Sequence, residues 1–257
     1  MSNHLGTFVW YELVTSDLDA AAKFYHAVMG WKIADYGNPS FRYLLGKVGE
    51  TGVAGLMTMP PDMPAGSKPF WVGYISVDDV DQTAAELEKA GGKVNKAPHD
   101  VPTVGRMAMV SDPQGAGFII MKPSSTENPE RPKPGTPGTL GWSELYAENG
   151  ETIFPFYATL FGWQKRAAMP MGEMGNYQLF GVDGGMDFGG MMTRMEKSMP
   201  PCWGYYTNVD AIGAAIARIK DAGGQVIAGP HEVPGPMWTA NCLDPQGAMF
   251  SIVSSRQ

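Results

Sequence analysis

The feature that most constrains this chain is a long internal repeat. The segment W-Y-E-L-V-T-S-D-L-D-A-A-A-K-F-Y-H-A-V-M-G-W at 10–31 returns at 142–163 as W-S-E-L-Y-A-E-N-G-E-T-I-F-P-F-Y-A-T-L-F-G-W, an offset of 132 residues. The same offset relates Trp71 to Trp203, Ala90-Gly91-Gly92 to Ala222-Gly223-Gly224, and Pro98-His99 to Pro230-His231. It also relates Asp112-Pro113-Gln114-Gly115-Ala116 to Asp244-Pro245-Gln246-Gly247-Ala248. A fixed long period means duplicated domains, each with enough chain for a core of its own. Between the copies, Pro123 to Gly138 is rich in Pro, Gly and polar residues and has no apolar period, as a stiff solvated linker would be. The expected division is 1–124, a linker at 125–137, and 138–257.

Each half divides again. In the first, Phe8–Val14 is β-rich. Asp17–Met29 is helical, with Ala21, Phe24, Tyr25 and Val28 on one face, a cap at Ser16 or Asp17 and a stop at Gly30. Strand-like runs follow at Phe41–Leu45 and Val53–Met59. The order then restarts with a strand at Phe70–Val77, a helix at Asp79–Ala90, and strands near Val94, at Met107–Val110 and at Phe118–Met121. In the second half, Ile212, Ile216 and Ile219 form one helical stripe. Pro155 falls inside another helix, which should therefore start near Thr152 or be kinked. The Asp-Pro-Gln-Gly segments read as structural turns, and His99 and His231 as exposed residues of proline-fixed turns.

The composition, 44% hydrophobic and 18% charged, is that of a globular protein, and a formal charge of −7 argues against a nucleic-acid partner. No apolar run reaches the roughly 18 residues of a membrane span, and the N-terminus has no signal-like core, so a cytoplasmic location without membrane contact is expected. Cys202 and Cys242 stand opposite Phe70 and Val110, so they are read as free buried thiols rather than a shared disulfide.

Four strand–helix–strands modules with D-L-D-A-A-A-K-F-Y and G-W at 17–31, F-Y-A-T-L-F-G-W at 156–163, A-G-G-K-V/A-G-G-Q-V and D-P-Q-G-A resemble the vicinal oxygen chelate superfamily. That superfamily comprises glyoxalase I, bleomycin-resistance proteins and extradiol dioxygenases. The pattern is similar to its two-domain glyoxalase-like subgroup, which includes culture-filtrate antigens. The resemblance implies an α+β fold of four βαβββ modules, paired into two curved-sheet domains around cavities. It also implies a divalent metal held by His and Glu on first and last strands. On alignment, those ligand positions fall on Trp10, Trp142 and near Val72 and Gly204. The strands at Val53–Met59, 116–121, Phe188–Met192 and 248–253 hold no His, Asp, Glu or Cys. A catalytic transition-metal site takes about three protein ligands, so no metal or other cofactor is expected.

Strand alternation puts Glu12 on the face of Trp10 and Glu144 on that of Trp142. Each carboxylate is either a partly desolvated base or hydrogen-bonding group, or a strand anchor tied to a backbone N–H or to an arginine such as Arg42, Arg106 or Arg166. Chain methionines number 18. Several fall on strands, where they serve as core filler or as an adaptable wall for flat ligands. The expected lining is Trp10, Met57, Val72, Tyr74, Ile119 and Met121 in one cavity. In the other it is Trp142, Met192, Tyr206, Met249 and Ser251. Three readings stay open: a metal-free protein binding a small apolar or aromatic molecule, with Glu12 and Glu144 as site residues; a lyase, isomerase or dioxygenase-type enzyme using an unconventional metal site or Glu12 or Glu144 as base; and an interaction protein with filled cavities. Four modules in one chain suffice for a monomer, or a weak homodimer.

Overall fold

The computed structural model describes residues 5–37, 41–64, 66–125, 132–172 and 175–257; residues 126–131 of the expected linker and His4 lie outside the described residues. The first repeat runs β1 (Phe8–Thr15), α1 (Leu18–Met29), β2 (Lys32–Asp35), β3 (Tyr43–Val48), β4 (Thr51–Thr58), β5 (Phe70–Ser76), α2 (Val80–Lys89), β6 (Lys93–Val101), β7 (Gly105–Ser111) and β8 (Gly117–Pro123). The second runs β9 (Leu140–Ala147), α3 (Gly150–Phe161), β10 (Gln164–Pro170), β11 (Asn176–Gly181), β12 (Asp187–Thr193), β13 (Cys202–Asn208), α4 (Ile212–Asp221), β14 (Gln225–Val233), β15 (Met237–Leu243) and β16 (Met249–Ser254). This is the α+β, four-module arrangement expected; the sequence reading named no strand at β2 or β10. No helix of the described residues is long and apolar enough to cross a membrane.

Local chemistry sets the helix ends. The Asp17 side chain accepts from Ala20 N–H, and Gly30, at φ 72°, closes α1 by donating to His26 O. Helix α3 starts two residues before Thr152. Asn149 caps it by accepting from Glu151 and Thr152 N–H, so the helix begins at Gly150 and Pro155 lies inside it. The proline ring has no N–H for the carbonyl of Glu151, one turn back.

The strands form two eight-stranded curled sheets, ordered β2-β3-β4-β1-β5-β8-β7-β6 and β10-β11-β12-β9-β13-β16-β15-β14. Sheet membership thus follows the repeat. Compact packing does not: one unit comprises Met1–Val9, Val72–Asn128 and Trp142–Gly204, the other Trp10–Trp71, Pro129–Gly141 and Tyr205–Gln257. Each unit takes one module from each repeat.

In the second of these units, α1 packs against α4. Leu13, Tyr25, Val28, Trp31 and Leu56 share a core with Ile212, Ile219, Phe250 and Ile252. Within it the Tyr25 hydroxyl donates to Asp244 Oδ2 (3.1 Å) and accepts from Trp71 Nε1 (2.9 Å). The other unit repeats the device around an aromatic cluster of Phe118, Tyr157, Phe161, Trp163 and Trp203. There Tyr157 donates to Asp112 Oδ2 (2.9 Å) and accepts from Trp203 Nε1 (3.2 Å). The second oxygen of each aspartate closes its own turn, accepting from Gln114 and Ala116 N–H or from Gln246 and Ala248 N–H. The Asp-Pro-Gln-Gly segments are therefore structural turns that also receive a tyrosine from a helix of the other repeat.

Candidate functional site

The sheet faces turned away from the helices carry the chemistry. In β1, Leu13 enters the helix-side core while Trp10 and Glu12 point the opposite way. Glu12 is in register with Gly55 on β4, and Tyr43 on β3 is in register with Met57. The Tyr43 hydroxyl donates to Glu12 Oε2 at 2.7 Å and accepts from Trp10 Nε1 at 3.0 Å. Glu12 is 7% exposed, with the partly buried indole and phenol beside it. Burial, and after it the Glu12 carboxylate, push the Tyr43 hydroxyl's pKa far up, so the phenol stays protonated as a donor. This chain of contacts requires a glycine beneath it: a Cβ on Gly55 would sit 1.8 Å from Tyr43 Oη.

The other unit holds the counterpart. Glu144, also 7% exposed, is in register with Gly190, and Trp142 Nε1 donates to Tyr177 Oη at 2.9 Å. A Cβ on Gly190 would meet the Tyr177 ring and hydroxyl at 2.2–2.3 Å. Each carboxylate thus lies beside a Trp–Tyr pair.

Sequence reasoning missed Tyr43, Tyr177 and both glycines. It also offered partners that the structure engages elsewhere. Arg42 pairs with Asp19, Arg106 with Asp81 and Asp100, and Arg166 with Asp187. Glu12 is held by a phenol, which the alternatives of backbone N–H or arginine did not include.

The expected lining residues are divided between the units rather than between the repeats, which separates residues expected in one cavity. One has Trp10, Glu12 and Met57 on strands of the first module and Tyr206, Ser251 and Met249 on strands of the fourth. There Ser251 Oγ donates to Asn241 Oδ1 (2.9 Å), and the Tyr206 hydroxyl approaches the same oxygen (3.4 Å). The other has Val72, Tyr74, Ile119 and Met121 from the second module and Trp142, Glu144 and Met192 from the third. Tyr74 is in register with Ile119 and Met121 with Met107, which makes a methionine-bearing wall. His99 lies at the margin of that wall, partly buried on β6 in register with Met107, and His231 is exposed on β14, so both sit on strands rather than in the expected turns.

Two shallow hollows lie elsewhere. One, about 430 Å³, lies between the Pro113-Gln114 turn and Thr152, Pro155 and Phe156 of α3. The other, about 320 Å³, lies beside Val28, Gly138, Asp210 and Arg218. Neither includes a residue of the Trp–Tyr–Glu groups.

The donor chemistry does not fit a divalent metal. Among the described residues no three His, Cys, Asp or Glu side chains gather as a metal-holding group. Each face offers one carboxylate with a phenol and an indole, of which the indole has no lone pair to give. At Gly204, an expected ligand position, the space a side chain would take lies 2.9 Å from the Tyr146 ring. The Cys202 thiol shares the neighbourhood of Glu144, but burial pushes its pKa up to about 11, so it is a protonated thiol at neutral pH.

Comparison with known proteins places these observations. The family description "Glyoxalase/Bleomycin resistance protein/Dioxygenase superfamily" matches twice, at residues 7–120 and 139–252. CFP32 of Mycobacterium tuberculosis, whose name proposes a glyoxylase, is 33% identical over 250 residues, covering 96% of this chain and 94% of that protein. The anthracycline biosynthesis protein DnrV of Streptomyces peucetius is 28% identical over 270 residues, covering 98% and 94%. Among solved structures, the Mn(II)-bound glyoxalase from Novosphingobium aromaticivorans superposes with a TM-score of 0.67 at 17% identity, covering 99% of this chain and 83% of that one. The 2,3-dioxygenase LapB from Pseudomonas sp. KL28 gives 0.66 at 13%, covering 99% and 93%. At these identities the structural likeness speaks for fold alone.

Proposed function

The chain belongs to the glyoxalase/bleomycin resistance protein/dioxygenase superfamily, and from that premise we propose that it binds a small apolar or aromatic molecule without a resident metal. The observation that carries this reading is the Trp10–Tyr43–Glu12 group and its counterpart at Trp142, Tyr177 and Glu144. Each presents partly buried aromatic surface next to a buried hydrogen-bonding carboxylate, the combination that small-molecule sites use for affinity and orientation. A flat ligand lies against the indole and methionine side chains, and its polar edge meets the carboxylate–phenol pair. The relative named for anthracycline biosynthesis supports an aromatic ligand, since an anthracycline is a fused-ring compound. The protein works in the cytoplasm as a monomer or weak homodimer in this reading.

The test has two parts. Protein purified without chelators is analysed for Zn, Ni, Fe and Mn, and a panel of fused-ring aromatics is titrated with tryptophan fluorescence as readout. Stoichiometric metal sinks the metal-free part, and silence across the panel sinks the ligand class.

A second reading is favoured by the 2.7 Å contact between the Glu12 carboxylate and the Tyr43 hydroxyl. A buried base beside a protonated phenol is a pair able to accept a proton at one oxygen and deliver one from another. A lyase or isomerase would use Glu12 or Glu144 in that way. Glyoxalase and ring-cleavage assays, with and without added divalent metal, separate this enzyme from the binding protein.

A further inference from the structure

The two repeats line their open faces differently, and two of the differences fall in the unit that holds Glu144. Met59 donates its backbone N–H to Thr15 O, and the residue making the corresponding bond to Ala147 O is Arg194. Phe70, which opens β5, is matched by Cys202 opening β13. Two apolar side chains have become arginine and thiol.

Arg194 stands out among them. It follows Thr193 at the end of β12, so alternation puts it on the face of Gly190 and Met192, beyond the Met192–Tyr146 register pair. Its side chain is 9% exposed. Nη2 pairs with Glu148, and Nη1 reaches the Glu196 carbonyl at 3.4 Å. Nε is buried and has no acceptor among the described residues. A buried guanidinium N–H left without an acceptor is costly, and folded proteins keep few of them. The Cys202 thiol feels the charges of both Arg194 and Glu144, which makes the three neighbours in one unit. The charge of Arg194 is already balanced by Glu148, and Glu144 adds a negative group nearby. That combination disfavours an anionic ligand and suits a neutral acceptor.

We propose that the third-module face recognises a flat aromatic ligand through a neutral carbonyl oxygen that accepts from Arg194 Nε–H, while the first-module face, with Met59 in that place, does not select for one. The proposal rests on the small-molecule reading above and specifies its ligand.

The experiment uses the full chain labelled at the methionine methyl carbons, with 9-fluorenone and fluorene as probes of matched shape. Met192 reports one face and Met57 the other. The expected result is that fluorenone binds at the Met192 signal at least about tenfold more tightly than fluorene. At Met57 the two bind alike. Arg194→Met, and Arg194→Lys, which keeps a cation for Glu148 but removes Nε–H, should both abolish the preference at Met192 and leave fluorene affinity in place. If fluorenone and fluorene bind equally to the unmodified protein, or the preference survives both substitutions, carbonyl recognition by Arg194 is wrong and the small-molecule reading stands. Tighter binding of fluorene-9-carboxylate than of fluorenone also overturns it, in favour of an anion. If neither probe moves Met192 or Met57, the small-molecule reading itself falls, and this proposal with it.

Discussion

Replacing Tyr157 by Phe isolates the tether that joins a helix of one repeat to a turn of the other. Tyr157 is fully buried, and its hydroxyl sits between Trp203 Nε1 at 3.2 Å and Asp112 Oδ2 at 2.9 Å. A hydrogen bond to a charged group contributes roughly 1.5–3 kcal/mol, and the neutral bond from the indole about 1 kcal/mol. The phenylalanine ring keeps the aromatic packing, so the expected loss is about 3 kcal/mol, a large share of the 5–15 kcal/mol typical of a domain. Urea unfolding followed by fluorescence should show a midpoint lower by on the order of 1 M.

The pH dependence gives a sharper reading of the same variant. Burial raises the folded-state pKa of Asp112 above 3.8, and the Tyr157 hydrogen bond pulls it back down. A carboxyl with a raised folded pKa holds its proton longer in the fold than in the unfolded chain. Stability is therefore lost as pH rises from 3.8 through the folded value, and the penalty is complete above it. Without the phenol the folded value climbs further, so the deficit of the variant is largest near pH 7 and shrinks toward pH 4. Tyr25→Phe should behave alike through Asp244, whose pKa burial also raises. A loss below about 0.5 kcal/mol, within the range of an ordinary surface substitution, would refute the tether. So would an equal loss at pH 4 and pH 7.

Other outcomes follow from the site. Gly55→Ala places a methyl group 1.8 Å from Tyr43 Oη, which must swing away from Glu12 and Trp10, and urea unfolding should register a loss of about 2–3 kcal/mol. Gly190→Ala should cost a similar amount through Tyr177. Glu12→Gln and Glu144→Gln each should weaken a confirmed ligand several-fold in calorimetry; unchanged affinity for both removes the carboxylates from the site. Burial pushes the thiols of Cys202 and Cys242 up to about 11 and about 12. Alkylation followed by mass spectrometry should therefore be slow at pH 7 and rise about tenfold per pH unit toward pH 10, with partly exposed Cys202 first.

Much of the scaffold was legible because local signals agree with the fold. The Asp17 cap, the Gly30 stop and the alternation around Trp10 and Glu12 are short-range effects that a single sequence displays. The tyrosines escaped because the repeat loses its register where they lie. Tyr43 and Tyr177 are 134 residues apart, and Gly55 and Gly190 135, before the 132-residue offset returns at Trp71 and Trp203. Reading along the constant offset compares Tyr43 with Gly175 and passes over the pair. Arg194 was hidden by the same drift, which aligns it with Asp62 rather than Met59. Pro155 points only to a start near Thr152 or a kink, whereas the exact start is fixed by Asn149, whose side chain satisfies two N–H groups of the first turn. The packing units were not visible at all. Neither Tyr25 nor Asp244 carries a mark of its partner, because that hydrogen bond spans 219 residues and has no local correlate.

The crossed composition of the units also governs how such a chain can change over generations. A substitution in α1 is felt at Ile212, Ile219 and Phe250, almost at the other end of the polypeptide, as well as within its own repeat. Drift in one copy is thus answered in the other. Covariation among relatives should link the first module to the fourth and the second to the third, and recombination that exchanges a whole repeat should break both partnerships at once.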